Sequence, residues 1–204
     1  MDPDFSLEKE AWDASQLFYG FDEAGYGCAA GSMFVACVAF CAYTDPAILA
    51  GVRDSKKTSE KEREALAKII MENAQEYKIW EISAEEMDSD QTYWLRYTKP
   101  VEWLEDSFRR KGITCFDGNK AISCKYHKNT WCIKGDGKSL SIAAASILAK
   151  CSKDLECKKL DIEYPDWGFA NHAGYLTKTH IEKIKKLGPL PIHRSKYISK
   201  IMNK

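Results

Sequence analysis

From Ser32 to Tyr43 the chain passes through Met33, Phe34, Val35, Ala36, Cys37, Val38, Ala39, Phe40 and Cys41 without a charge. A strand that is apolar at every position presents apolar groups to both sides of its sheet, so both faces must be covered. This run excludes a sheet with one wetted face and demands helices on either side. Leu17 to Glu23, just upstream, is likewise rich in aromatic and apolar residues. The glycine-bearing turn Ala24 to Gly31 makes the two a pair of adjacent strands.

The rest of the chain supplies the helices. Ser59 followed by Glu62 is a capping box, and Leu66, Ile69 and Ile70 recur at helical spacing, which predicts a helix from Ser59 to Ala74. Tyr77 to Ser83 reads as a strand, whereas Ser83 to Lys99 shows no clean period. Val101 to Lys111 reads as a helix with Pro100 just before or at its first turn, and Ile113 to Asp117 as a short strand. A further strand, Trp131 to Lys134, leads through the loop Gly135 to Lys138 into the strongest helical run, the alanine-rich Leu140 to Asp161. Thr179 to Leu187 forms a last amphipathic helix, ended by Gly188 and Pro189. Strands that precede helices and then alternate with them give the α/β class with a mixed five-stranded sheet. A length of 204 residues suits one domain.

Charge and cysteine narrow the function classes. No apolar run is long enough to span a bilayer, and the acidic stretch Met1 to Trp12 is unlike a secretory signal, so a cytoplasmic protein is expected. Cys37, Cys41, Cys115, Cys132 and Cys151 sit in apolar or element-like stretches and read as reduced core residues, with no spacing that suggests zinc. Basic and acidic residues balance at 30 each, but from Lys178 onward eight Lys or Arg stand against Glu182 alone. That stretch is either a solvated helix face with a tail or a surface that tracks phosphates. Gly135-Asp-Gly137-Lys138-Ser139 is only superficially a P-loop, since Cys132 occupies the place of the required first glycine, which excludes an ATPase of that kind. His127, His172, His180 and His193 lack zinc-protease spacing and read as structural donors, with His172 and His180 supporting a nearby tyrosine loop.

Carboxylates stand at backbone breaks and strand ends, where the active sites of open α/β sheets gather. Asp22 and Glu23 close the first strand, Asp117 closes the Ile113 strand before Gly118, and Asp154 lies late in the long helix. Two like charges at one strand end are costly unless a cation neutralises them, so the pattern points to a divalent metal held by oxygen ligands.

The segments around these residues carry a resemblance. Gly20-Phe-Asp22-Glu23-Ala-Gly25-Tyr-Gly27, Asp54-Ser55-Lys56-Lys57, Phe116-Asp117-Gly118, Lys134-Gly135-Asp136 and Ser141 to Lys150 follow in the order found in ribonuclease HII. Tyr164-Pro165, Gly168-Phe169, His172, Gly174-Tyr175, His180 and His193-Arg194 continue it, so the chain resembles that family from Phe18 to Arg194, weakly only between Ser83 and Gly112. The resemblance implies a ribonuclease H-like fold, with 1–16 as a short N-terminal tail, 17–177 as the catalytic domain and 178–204 as a basic C-terminal helix and tail packed on it. It implies a monomeric endoribonuclease that hydrolyses the RNA strand of RNA–DNA hybrids and ribonucleotides embedded in duplex DNA, leaving 5′-phosphate and 3′-hydroxyl ends. Asp22, Glu23, Asp117 and Asp154 would be the catalytic carboxylates and would hold two Mg²⁺ or Mn²⁺ ions. Asp rather than Glu at position 154, and the short stretch before Leu17, favour the HII over the HIII branch. A junction resolvase on the same fold and a catalytically weak hybrid-binding module are the alternatives.

Substrate contacts follow by motif position. Gly25, Tyr26 and Gly27 form the loop whose backbone reads the ribose 2′-hydroxyl, Tyr175 joins it, and Lys56, Lys57, Ser146 and Arg194 are further contacts. Lys150 and Lys153 approach the acidic centre from the long helix. Tyr26 departs from the arginine of the family pattern, removing a charge beside the scissile phosphate and adding a stacking face. Leu176 departs from the glycine that usually follows the tyrosine, which would stiffen or shift that loop. Both bear on the preference for single ribonucleotides against long RNA tracts.

Overall fold

The chain opens with a helix, α1 (Ser6–Asp13), followed by β1 (Leu17–Ala24), β2 (Met33–Ala39), α2 (Glu60–Asn73), β3 (Glu76–Ile82), α3 (Ala84–Met87), α4 (Thr92–Glu105), β4 (Gly112–Asp117) and β5 (His127–Cys132). A long helix, α5 (Leu140–Glu163), then leads to α6 (Phe169–His172), α7 (Lys178–Leu187) and α8 (Ser195–Met202). The computed structural model describes residues 2–88, 92–106, 112–119 and 127–202. Its sheet has the order β3-β2-β1-β4-β5 and is mixed: β1 runs antiparallel to β2 and parallel to β4, and β5 continues the parallel half.

The two-faced burial demanded by the uncharged run is met. Every residue of β2 is buried. Phe34, Ala36 and Val38 pack with Ile70 of α2 and Ala144 and Leu148 of α5, while Cys37 and Ala39 face Tyr19, Phe21 and Leu104 on the other side, with Trp80 and Trp103 closing that layer. The predicted capping box starts α2: Glu62 N–H donates to Ser59 Oγ at 3.3 Å and Ser59 N–H to Glu62 Oε2 at 2.7 Å. Gly20 sets the distance between α5 and β1, because a Cβ there would lie 2.5 Å from the Ile142 nitrogen.

Four elements differ from the sequence reading. The N-terminal stretch is not a loose tail but α1, held by the buried Ala11 and by Phe5, whose ring lies 4.9 Å from Trp12 and 5.6 Å from Phe40. The helix expected from Val101 begins at Thr92 and carries Pro100 inside it; the end of the expected element, 107–111, lies outside the described residues. Strand β5 ends at Cys132 rather than Lys134, because Lys134 adopts a left-handed backbone at φ 55° that closes the strand. Past α7, α8 forms from a stretch expected to be tail.

Candidate active site

Strand register assembles the acidic centre. The parallel pairing of β1 and β4 runs to Phe21 opposite Phe116, so the next step sets Asp22 beside Asp117. Alternation along β1 puts Asp22 on the same face as Gly20, toward α5, and one helical turn past Ile142 stands Ser146. Ser146 hydrogen-bonds the Asp22 carboxylate, and its hydroxyl also lies 3.0 Å from that of Ser55, which ties the Asp54–Lys57 segment to the same point. Asp22 Oδ1 accepts from the Glu23 N–H at 2.8 Å, and Asp117 Oδ1 from the Gly135 N–H at 2.7 Å. That last bond draws the turn carrying Asp136 against the end of β4.

The electrostatics follow from this crowding. Burial pushes the Asp22 carboxyl well above the ordinary carboxylate range, and Glu23 and Asp117 push the same way against the Ser146 hydrogen bond. Asp136 is raised by its partial burial, then by Asp117 and Asp54. In front of Asp117 and Asp136 opens a cavity of about 850 Å³, lined also by Asp54, Lys56, Lys57, Lys134 and Lys138. Asp136 was passed over as a site residue although it closes the Lys134-Gly135-Asp136 motif; its nearness to Asp117 depends on the Gly135 bond, which no local sequence pattern discloses.

Asp154 has partners of its own. Arg63 Nη2 donates to its Oδ2 at 2.8 Å and Lys150 Nζ to its Oδ1. It also lies eight residues beyond Ser146, about 12 Å further along the helix axis. Three other assignments change for similar reasons. Ser146 is buried and hydrogen-bonds Asp22. Lys153 is fully enclosed, donating to Ser32 O at 3.1 Å, Ala30 O at 3.3 Å and Glu156 Oε2 at 2.7 Å, while Glu156 Oε1 accepts from Ser32 N–H at 2.7 Å. Arg194, 1% exposed, donates to the carbonyls of Gly25 and Tyr26 at 2.8 Å each, and to Gly31 O. Neither cation reaches the surface; together they clamp the Gly25–Ser32 loop from both sides.

That loop is shaped for close approach. Gly25 has φ +88° and a Cβ there would lie 2.8 Å from Ser32 O, so only glycine fits. Tyr26 is exposed, and the half-exposed Tyr175 lies alongside Gly27, 3.8 Å from where a Cβ would stand. Burial raises the Tyr175 phenol to about 12.

Three histidines hold the tyrosine loop. His180 donates through Nδ1 to Tyr175 O at 2.9 Å and accepts through Nε2 from His193 Nε2 at 3.0 Å, while His193 Nδ1 accepts from Leu190 N–H at 2.9 Å. His172 stacks on His180 at 4.1 Å, accepts from Gly174 N–H at 3.2 Å and donates to Trp167 O at 3.1 Å. The pattern makes all three neutral, and burial lowers His180 to about 4. The Leu176 side chain packs on the apolar cluster of Leu160, Trp167 and Phe169. The side chain of His127 lies outside the described residues.

Oxygen-only donors at the ends of neighbouring strands suit a hard divalent cation. Among the described residues no three acidic, histidine or cysteine side chains stand close enough, as arranged here, to share one ion. Residues 19–200 match the family model described as Ribonuclease HII. The ribonuclease HII of Francisella tularensis subsp. holarctica is 39% identical over 183 residues, covering 89% of this chain and 95% of that protein. The ribonuclease H2 of Pyrococcus horikoshii OT3 superposes with a TM-score of 0.77 at 24% identity over 92% of this chain and 98% of that one, which is a likeness of fold. The RNase HII of Archaeoglobus fulgidus, solved in complex with PCNA, gives 0.69 at 27% identity over 89% and 95%.

Proposed function

The chain belongs to the ribonuclease HII family, endoribonucleases of RNA–DNA hybrids, and from that premise we propose that it cuts both the RNA strand of hybrids and ribonucleotides embedded in duplex DNA, leaving 5′-phosphate and 3′-hydroxyl ends. The observation that carries this reading is the convergence of Asp22, Glu23 and Asp117 at the ends of β1 and β4, with Asp117 and Asp136 lining a cavity that also carries Lys56, Lys57, Lys134 and Lys138. Ribonuclease H enzymes work with divalent cations. Mg²⁺ or Mn²⁺ held as a pair by Asp22, Glu23, Asp117 and Asp136 would supply the charge that activates water and stabilises the leaving 3′ oxygen.

The chain's own groups do the rest. Ser146 and the Glu23 N–H hold the Asp22 carboxylate in place, and the Gly135 N–H holds that of Asp117. The backbone of Gly25 to Gly27, clamped by Arg194 and Lys153, presents its polar groups to the ribose 2′-hydroxyl with Tyr175 beside it. Lys56 and Lys57 meet phosphates entering the cavity. Tyr26 offers a face for stacking where the family pattern has a charge, which favours contact with a sugar or base over phosphate steering. Free thiols at Cys28, Cys37, Cys115 and Cys157 suit a reducing compartment such as the cytoplasm.

The test is a cleavage map, with Mg²⁺ and with Mn²⁺, on duplexes carrying one, four or many ribonucleotides and on a four-way DNA junction. Incision with 5′-phosphate ends at ribonucleotides is expected; junction cutting without ribonucleotide cutting would overturn the reading.

A further inference from the structure

The N-terminal segment precedes the part of the chain that matches the family, residues 19–200, yet it is built into the wall of the acidic cavity. Asp2, Asp4, Ser6 and Leu7 line that cavity together with Asp117 and Asp136. The Asp4 N–H donates to Lys138 O at 3.4 Å and its carbonyl accepts from Leu140 N–H at 3.0 Å, so the segment pairs with the chain just past Asp136. In the first turn of α1, Glu8 is fully buried, and its Oε1 accepts from Ser139 Oγ at 2.6 Å and from Ser141 N–H at 2.9 Å. Ser139 in turn caps α5, accepting from Ile142 N–H at 3.1 Å, and its own N–H donates to Gly135 O at 2.9 Å. Gly135 is the residue whose N–H holds Asp117. A continuous line of bonds therefore runs from Glu8 through Ser139 and Gly135 to the acidic centre.

A buried carboxyl at this place is a poor choice for stability alone. Glu8 Oε2 and Ser141 Oγ are both buried without a hydrogen-bond partner, and an apolar side chain would cover the same surface without desolvating a polar group. We infer that Glu8 is a positioning residue of the active site: through Ser139 it fixes the Gly135–Ser139 turn that presents Asp136 beside Asp117. Burial raises the Glu8 carboxyl above its usual range, against the hydrogen bonds from Ser139 and Ser141. The inference rests on the proposed metal-holding group containing Asp136.

The experiment compares Glu8→Leu, Glu8→Gln and Ser139→Ala in the full chain, reading Mn²⁺ binding without substrate by calorimetric titration and hybrid cleavage in single turnover. Glu8→Leu and Ser139→Ala each weaken Mn²⁺ binding and slow cleavage about tenfold, the usual scale for removing a residue that orients a ligand. Glu8→Gln, whose amide oxygen can accept the same two bonds from Ser139 and Ser141, stays within about twofold. In the Asp136→Asn background Glu8→Leu has no additional effect, because the group it positions is gone. Folded Glu8→Leu with wild-type Mn²⁺ affinity and rate would overturn the inference, as would additivity with Asp136→Asn. If Glu8→Leu does not fold, the same reading is taken from Ser139→Ala, which keeps the Ser141 bond to Glu8. Wild-type Mn²⁺ binding and cleavage in Asp136→Asn alone would instead overturn the place of Asp136 in the centre.

Discussion

Helix α5 passes two groups of carboxylates whose surroundings are opposite. Near its start, Asp22 is crowded by Glu23 and Asp117, with Asp136 beside Asp117. Just over two turns past Ser146, Asp154 is held between Arg63 and Lys150. The same residue type is therefore left needing positive charge in one place and supplied with it in the other. A carboxylate's task is read from what neutralises it: Asp154 ties α2 to α5, whereas the strand-end group calls for a cation from outside.

The largest effects that could break this contrast come from removing one charge at a time. Asp136→Asn should slow hybrid cleavage by at least about a hundredfold in single turnover, with hybrid binding in Ca²⁺ retained. Asp154→Asn should leave the rate within about tenfold while lowering stability by about 1–3 kcal/mol in urea unfolding, since Arg63 and Lys150 lose their partner at a site that keeps some solvent. The opposite pattern, a dead Asp154→Asn and an active Asp136→Asn, would return the fourth carboxylate to α5.

Lys153 gives the next largest effect and sharpens the same lesson with the sign reversed, as a cation enclosed among acceptors. Lys153→Met removes the donor to Glu156 Oε2 and to two loop carbonyls, which costs about 3–5 kcal/mol at a site this buried. It also frees the Gly25–Ser32 loop, so kcat/KM on a single embedded ribonucleotide should fall by roughly a hundredfold, the cost of a small misplacement of substrate-positioning groups. Lys153→Arg, which keeps the donors, should recover most of the rate; equal loss in both variants would mark Lys153 as a packing residue alone.

How much of this was legible in the sequence divides along the same line. The sheet, α2 with its capping box, and α5 were readable because periodicity and caps are local signals. Asp22, Glu23 and Asp117 were readable because strand ends on such a sheet converge. The pairing of Asp154 with Arg63 and Lys150 was not readable, because a motif order says nothing of partners in space. Arg194 read as a substrate contact and Lys153 as approaching the acidic centre, because a basic residue's burial is not written in its neighbours. Glu8 and α1 were missed because their partners, Ser139 and Ser141, lie more than 130 positions away.

The histidine group predicts a smaller effect, in pH. His180 is held at about 4 in the fold against 6.5 for an ordinary histidine, and burial lowers His172 and His193 as well. Groups facing this cluster include Lys183 and Asp161. The unfolded chain takes up protons that the folded one refuses, so stability is complete above about pH 6.5, falls as pH drops toward 4, and levels off below it. Unfolding at several pH values should show this slope, and His180→Asn should flatten it by up to one proton. A slope unchanged in that variant would place its origin in other groups.

The smallest effect compares two lysine pairs. Lys56 and Lys57 line the cavity beside Asp117 and Asp136, whereas Lys185 and Lys186 lie exposed on α7, whose buried face is His180 and Ile184. Each phosphate contact releases counterions and contributes about one to the slope of log affinity against log salt. Replacing Lys56 and Lys57 by Gln should lower that slope by about two for hybrid binding in Ca²⁺, equally for all base sequences, because phosphate contacts carry no base information. Replacing Lys185 and Lys186 by Gln should leave the slope unchanged, because a solvated lysine that meets no phosphate releases no counterion on binding. A loss at α7 equal to that at the cavity would extend the nucleic-acid footprint along the basic C-terminal stretch, and would make the charge excess after Lys178 a binding surface rather than a solvated helix face.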